Sequence, residues 1–519
     1  MRLDRLHIRS RFKNLADFQI DFDEASEMTV LVGRNGTGKS NLLEALTIIF
    51  RDLDLGLRPA FSYELRYFCR GHTITVDADP DRQSQRGYEL TADGKHLTWR
   101  TFHDNPTREY LPNFVFGYYS GPGNRMERHF ERHQEAFYRQ LLNNNDQPLR
   151  PLFFARPVHS QFVLLAFFLD ADSAVTTFLR EHLWIEDFDY ALFIMREPPW
   201  TSRQGDPRFW NARGVVRNFL DRLYALALAP CRLKVRVPTE FKKQQSLEHL
   251  YLFLRDLDHV RKLAGYYDTQ QDFFKALEST YISKLISEVR ISVRARKVDD
   301  SLTFRELSEG EQQLLMVLGL LRFTREDESL FLLDEPDTHL NPAWSVQYLK
   351  FLREIGGAQD NSHVIMATHD PLVISGLDRS QVQILLRDDE TGRIEVQQPE
   401  SDPKYMGVPA LLLSEVYGLR SILPPATMAL LDEKRRLAAK SELTEEDRQA
   451  LQQLDAKLEE ADLLAENRDP MYRDFVRAYA QLQHERGLDK PVLSPEEREE
   501  LHELALSILR DQLPEGDAK

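Results

Sequence analysis

The stretch Val30-Leu31-Val32-Gly33-Arg34-Asn35-Gly36-Thr37-Gly38-Lys39-Ser40-Asn41 decides how this chain folds. Its core has the spacing G-x-x-x-x-G-K-[ST], and its flanks supply the context that spacing needs. Before it, Met28–Val32 is a continuous apolar run, read as a buried strand. After it, Leu42, Leu43, Leu46, Ile49 and Phe50 share one face of a helix. A glycine-rich turn between strand and helix aims backbone N–H groups inward, because glycine reaches dihedrals closed to other residues. The helix then adds the positive end of its dipole. In such a loop the Lys39 ammonium reaches β- and γ-phosphates, and the Ser40 hydroxyl is placed to hold Mg²⁺.

Working outward, Arg2–Ile8 and Asp17–Phe22 alternate as strands, and 72–101 reads as an antiparallel meander broken by turn signals. Asn113–Tyr119 is a further buried strand, ending at Ser120-Gly121-Pro122-Gly123. Far along the chain, Leu330-Phe-Leu-Leu-Asp334-Glu335 brings two carboxylates to a strand end. Asp334 is suited to Mg²⁺, and Glu335 to orienting a water or accepting its proton. Ser308-Glu309-Gly310-Glu311-Gln312 precedes this run; Asp337 and then Ala367-Thr368-His369-Asp370 follow it.

Together these motifs resemble the ABC class of P-loop ATPases. Ser308–Gln312 is similar to the signature, Asp334-Glu335-Pro336 to the Walker B end, Asp337–Pro342 to the D-loop, and His369 to the histidine switch. The resemblance implies ATP and Mg²⁺ as ligands and two heads packed head to tail. Ser308 and Gly310 of one head would then reach the γ-phosphate held by the other, with His369 contacting it in cis. About 270 residues separate Lys39 from Ser308, far beyond an ordinary loop. That interval resembles SMC/RecF-like proteins rather than transporters. The implied fold is α/β, an ABC-type head of N- and C-terminal lobes with a helical insertion and a helical C-terminal extension. Expected boundaries are 1–124, 125–287, 288–400 and 401–519. Within the insertion, helices are expected around Arg125–Leu142, Gln161–Leu183 and Ser246–Ala264. No glutamine fits the Q-loop: Gln161 reads as structural. Arg11, Phe12, Lys13 and Asn14 lie where related proteins contact the base, though a surface turn has the same pattern.

The bulk numbers fit a cytoplasmic protein. Hydrophobic residues make up 42% and charged residues 29%, and only Cys69 and Cys231 occur, without metal-ligand spacing. The most apolar stretch, Phe162–Leu169, is too short for a bilayer, so no membrane partner is expected. A formal charge of −16 argues against a general nucleic-acid-binding coat, although about nine of those charges fall after Ser401. Arg290, Arg294 and Arg296 share a strand face, as do Arg232, Lys234 and Arg236. Either face is a candidate phosphate track, but a solvated strand side is the more common outcome. His129 and His133 read as a charged, solvated helix face. Asp388–Glu390 reads as a hairpin turn, and no second catalytic cluster emerges. Leu411–Ser421, the helical pair through Leu458 and Asp469–Phe475 resemble the tail of PtuA-type ATPases of Septu and retron anti-phage loci. That implies a homodimer or larger assembly working with a separately encoded HNH-type nuclease. A RecF-like DNA-binding ATPase of repair or chromosome maintenance is the alternative. Lys39→Ala is expected to weaken nucleotide binding at least about tenfold; titration of a fluorescent ATP analogue checks this, and unchanged affinity would remove the phosphate-loop assignment.

Overall fold

The computed structural model describes the chain except residues 24–25, 106, 143–150, 201–204, 239–243, 297–300, 324–327, 357–360, 389 and 441–443, and most residues from 461 onward. It divides into two compact units, 1–411 and 412–519.

In the first unit, a seven-stranded sheet draws on both ends of the sequence. Its order is Ile394–Gln397, Val382–Arg387, Met28–Val32, Ser362–Ala367, Ser329–Asp334, Phe114–Tyr119 and Leu152–Phe154. All neighbours are parallel except the first pair. The three central strands are buried at every position, which is why they read as apolar runs rather than alternations. A second, six-stranded sheet is antiparallel and contains Arg2–Ile8, Phe18–Asp21, Tyr63–Cys69 and the meander from His72 to Leu97. The helix Lys39–Leu55 shares one hydrophobic core with both sheets. It is buried over most of its length, polar positions such as Glu44, Thr47 and Asp52 included.

The insertion is less helical than expected. Glu131–Leu142, Pro157–Phe167 and Ser173–Glu181 are helices, but the expected helix over Ser246–Ala264 is a strand, Gln244–Leu254, followed by a short helix, Leu257–Ala264. Leu250, Leu252 and Leu254 are buried at alternate positions, and the period of two prevails. This strand belongs to a five-stranded antiparallel sheet with Ile185–Arg196, Leu228–Pro238, Ile286–Ala295 and Ser301–Thr303. Leu152–Phe154, expected within the insertion, instead closes the edge of the head sheet. Three apolar residues carry no period from which to assign them. Helix Pro157–Phe167 lies against Glu309–Phe323 so closely that a Cβ on Gly319 would sit 2.2 Å from Val163 Cγ1.

In the second unit, Pro425–Ala438 and Glu445–Glu460 run antiparallel, joined by Lys434–Asp455 at 3.0 Å and Lys440–Asp447 at 2.8 Å. Thr444 and Asp447 exchange capping hydrogen bonds of 3.1 and 3.2 Å, as the sequence implies. Leu454 and Leu458 are buried. The Asp469–Phe475 segment lies outside the described residues. No described helix is long and apolar enough to cross a membrane.

His363 joins the two sheets of the head. Its Nδ1 accepts from the Leu3 N–H at 3.0 Å, and its Nε2 lies 3.1 Å from Thr29 Oγ1. Burial, aided by the N-terminal ammonium and Arg2, pushes its pKa down to about 3. The folded chain therefore binds fewer protons than the unfolded chain below the ordinary value of 6.5. The neutral ring's contribution is complete above that value and is lost as pH falls toward 3. Calorimetric melting at several pH values should show a shallower acid decline for His363→Gln than for the wild type; identical slopes would contradict a neutral buried ring.

Candidate nucleotide site

The phosphate loop is bent where glycine is required. Gly33 has φ +141°, and a Cβ there would lie 2.4 Å from the Leu385 carbonyl oxygen. Gly38 has φ +99° and leads the helix with no side chain to cap it, leaving the first amides to an anion. Arg34, Asn35 and Gly36 form an exposed rim, while Thr37, Gly38 and Lys39 are buried. The Thr37 hydroxyl donates to the Arg34 carbonyl at 2.9 Å. The Lys39 ammonium donates to the Gly33 carbonyl at 2.7 Å. Burial lowers its pKa, against the opposing charges of Glu335 and Asp334.

Those carboxylates arrive on the strand Ser329–Asp334, whose last residue pairs with Tyr119 on one side and Ala367 on the other. Asp334 is buried, and Ser40 lies near enough to influence its ionisation. Burial pushes it up to about 6, with Glu335 adding to the rise and Ser40, Arg125 and Lys39 opposing it. A hydroxyl and a carboxylate at the mouth of the loop form an all-oxygen pair that suits Mg²⁺. Glu335 follows in the left-handed region at φ +53°. Its N–H donates to the Ala367 carbonyl at 2.8 Å, and its own carbonyl accepts from Thr338 Oγ1 at 2.9 Å and Gln313 Nε2 at 3.3 Å. Thus anchored, its side chain stands 3.4 Å from His369 Nδ1. Asp337 turns inward: the Thr368 hydroxyl donates to its carboxyl, and burial pushes its pKa up to about 6.

The structure therefore gathers Lys39, Ser40, Asp334, Glu335 and His369. Ser308–Gln312 is placed differently. Ser308 and Glu309 are exposed at the start of helix Glu309–Phe323. The Ser308 hydroxyl and N–H both donate to Glu311 Oε2, at 2.8 and 2.6 Å. Gln312 Nε2 donates to the Leu307 carbonyl at 2.8 Å. Gly310 lies under the D-loop, where a Cβ would meet the His339 carbonyl oxygen at 2.3 Å.

Three further sets of sequence-assigned residues can now be placed. His129 and His133 are not a solvated face. His129 Nε2 lies 2.8 Å from Glu44 Oε1, and the buried His133 has its Nε2 2.7 Å from Asp54 Oδ2. Their polar partners come from the phosphate-loop helix, which a reading of the local sequence alone does not place there. Arg290, Arg294 and Arg296 are exposed, but each stands beside a carboxylate: Glu288 at 2.8 Å, Asp187, and Glu186 at 3.9 Å. Much of their charge is thereby offset. Of the base-contact candidates, Phe12 packs on Phe61 with ring centroids 4.7 Å apart, and Asn14 Nδ2 donates to the Gly36 carbonyl at 2.9 Å. Sequence reasoning missed Glu44 and Gln313 altogether and gave Arg125 and Thr368 no role of their own. The one available signal was Glu44, a charge amid the apolar positions of its helix.

A phosphate loop, acids on the strand two places along in a parallel sheet and a histidine facing the second acid together make a site of the P-loop nucleotide-binding kind. The sheet that carries it is built from strands near both ends of the first unit. Two protein-family models match the chain. One, described as "AAA ATPase domain", covers residues 1–84. The other, described as "AAA domain, putative AbiEii toxin, Type IV TA system", covers residues 236–375. The chain is similar to the Septu protein PtuA of Bacillus mycoides (strain KBAB4), with 28% identity over 160 residues. That match spans 29% of this chain and only 22% of the relative's length. Among solved structures, the ATP-binding cassette MJ1267 of an ABC transporter aligns at 11% identity and a TM-score of 0.29, covering 80% of this chain and 99% of its own. A structure from work on ATP-driven dimerization and DNA stimulated activation of SMC ATPases aligns at 14% identity and a TM-score of 0.17, covering 36% and 82%. With scores this low, the fold assignment rests on sheet order and loop geometry.

Replacing Glu335 with Gln keeps the shape of the site and removes the carboxylate proposed to act as base. Turnover should fall by about 10²-fold or more while ATP affinity stays near the wild-type value. Phosphate release and nucleotide titration measure the two separately, and wild-type turnover would refute a role for Glu335 as base.

Proposed function

We propose that this chain is the ATP-hydrolysing switch subunit of a bacterial anti-phage complex, controlling a separately encoded HNH-type nuclease. The likeness to Septu PtuA carries this reading. In the proposed mechanism, loop amides and Lys39 hold the β- and γ-phosphates, and Ser40 and Asp334 hold Mg²⁺, which neutralises phosphate charge. Glu335 orients the attacking water and accepts its proton, and His369 contacts the γ-phosphate. Ser308 and Gly310 complete the site of a second copy, so hydrolysis toggles a homodimer or larger assembly between closed and open states. The exposure of Ser308 and Glu309 supports a role across subunits. A cytoplasmic setting follows from this role.

The RecF-like alternative would place DNA on Arg290, Arg294 and Arg296, and the neighbouring carboxylates weigh against that. Tagged protein expressed from its native locus, purified with and without ATP, distinguishes the two. Co-purification of a stoichiometric small nuclease, together with an ATP-dependent dimer by light scattering, is the expected result. Recovery of DNA and repair proteins, with binding lost in Arg290→Ala and Arg294→Ala, would overturn it.

A further inference from the structure

Glu44 sits on the phosphate-loop helix, 1% exposed, inside a ring of basic side chains. Arg125 Nε donates to its Oε2 at 2.9 Å, Arg128 Nη2 to its Oε1 at 2.9 Å, and Lys13 also contacts it. His129 completes the ring. Burial alone would raise the Glu44 pKa, but hydrogen bonds from His129, Lys13, Arg125 and Arg128 outweigh it and hold the carboxyl well below the usual carboxylate range. This anchor leaves Arg125 a second guanidinium nitrogen, Nη2, which donates to Asn41 Oδ1. Asn41 Nδ2 in turn donates to Asn14 Oδ1, and Asn14 Nδ2 donates to the Gly36 carbonyl.

We propose that Arg125 is a positioning residue for the phosphate loop, holding the Gly36 carbonyl through Asn41 and Asn14. The inference rests on the nucleotide-site reading above. Its physical basis is the polarity of the chain of contacts. A guanidinium only donates, so Asn41 must present its oxygen to Arg125. The Asn41 amide nitrogen is then left for Asn14, which must accept with its own oxygen and so turns its nitrogen to Gly36. Remove the donor at the head of the relay and both amides are free to flip.

The loop depends on this brace. Gly36, at φ +85°, has no atom within 4 Å of where a Cβ would lie, so packing does not hold the tip. Lys39 ties down the Gly33 carbonyl only until its ammonium turns to a phosphate, and Thr37 secures Arg34 rather than Gly36. The Asn14 bond is the contact that persists at the tip when nucleotide binds. Because it shapes the loop rather than touching the γ-phosphate, it serves ADP and ATP alike.

Full-length wild type, Arg125→Ala, Arg125→Lys, Asn14→Asp and the Arg125→Ala/Asn14→Asp double variant are titrated with fluorescent ADP and ATP analogues, alongside melting temperatures. Aspartate at 14 accepts from Asn41 but, when ionised, cannot donate to Gly36, so it cuts the relay without touching Arg125 or Glu44. Arg125→Ala and Asn14→Asp should each weaken both nucleotides by about tenfold. Arg125→Lys, which retains a donor, should lose less. The double variant should bind no worse than Asn14→Asp alone, the sign of one shared path. Wild-type affinity in Arg125→Ala, even with a lowered melting temperature, would overturn the proposal, as would additive losses. If Arg125→Ala does not fold, unchanged affinity in Asn14→Asp overturns it equally. Failure of the wild type to bind either nucleotide would instead bring down the site reading itself.

Discussion

Everything at the candidate site depends on one strand. Ser362–Ala367 pairs in parallel with Met28–Val32 on one side and Ser329–Asp334 on the other, so that Ala367 stands beside both Leu31 and Asp334. These two residues lie some three hundred positions apart in the sequence. The pairing sets the height at which the glycine loop leaves one strand and the carboxylates leave the other. A slip of one residue would turn each side chain to the opposite face and carry Asp334 away from Ser40. The Ala367 carbonyl adds a second constraint by accepting the Glu335 N–H, which fixes where the chain turns after the strand. Ligands in parallel sheets gather at the carboxyl ends of strands, and here all three strands end at the same level.

Around that frame the structure places polar contacts where charge must be held still. Thr368 fixes Asp337, Gln313 and Thr338 hold the Glu335 backbone, and the cations about Glu44 join the phosphate-loop helix to the segment from Arg125 to His129. The left-handed backbone of Glu335 is retained because its N–H and carbonyl are both engaged. Apolar packing forms the bed on which the site rests. The contacts that aim its side chains are hydrogen bonds between groups distant in sequence.

That division explains what the sequence could disclose. Gly33–Ser40 and Leu330–Glu335 were legible because each is a local pattern whose chemistry depends on spacing alone. The strands of the head were legible as apolar runs because both their faces are covered. The helix expected over Ser246–Ala264 failed because a leucine-rich stretch such as Leu247–Leu254 satisfies either period until its sheet partners are known. The polar partners of His129 and His133 escaped notice for a different reason. Each depends on a helix about 80 residues upstream, and no local rule connects the two. Arg125 was read only as the start of a helical region, although its importance lies in Asn41 and Glu44.

The split head sheet also has a consequence for the order in which the chain is made. Met28–Val32 emerges among the first strands, yet both of its sheet neighbours, Ser362–Ala367 and Val382–Arg387, are synthesised more than three hundred residues later. At about 5–20 residues per second, that is a wait of tens of seconds on the ribosome. During it the strand has no neighbour on either edge, and the loop that follows has no acids to face. The nucleotide site is thus assembled only after the whole insertion has been made, and ATP cannot template the folding of the lobe that carries its own phosphate loop.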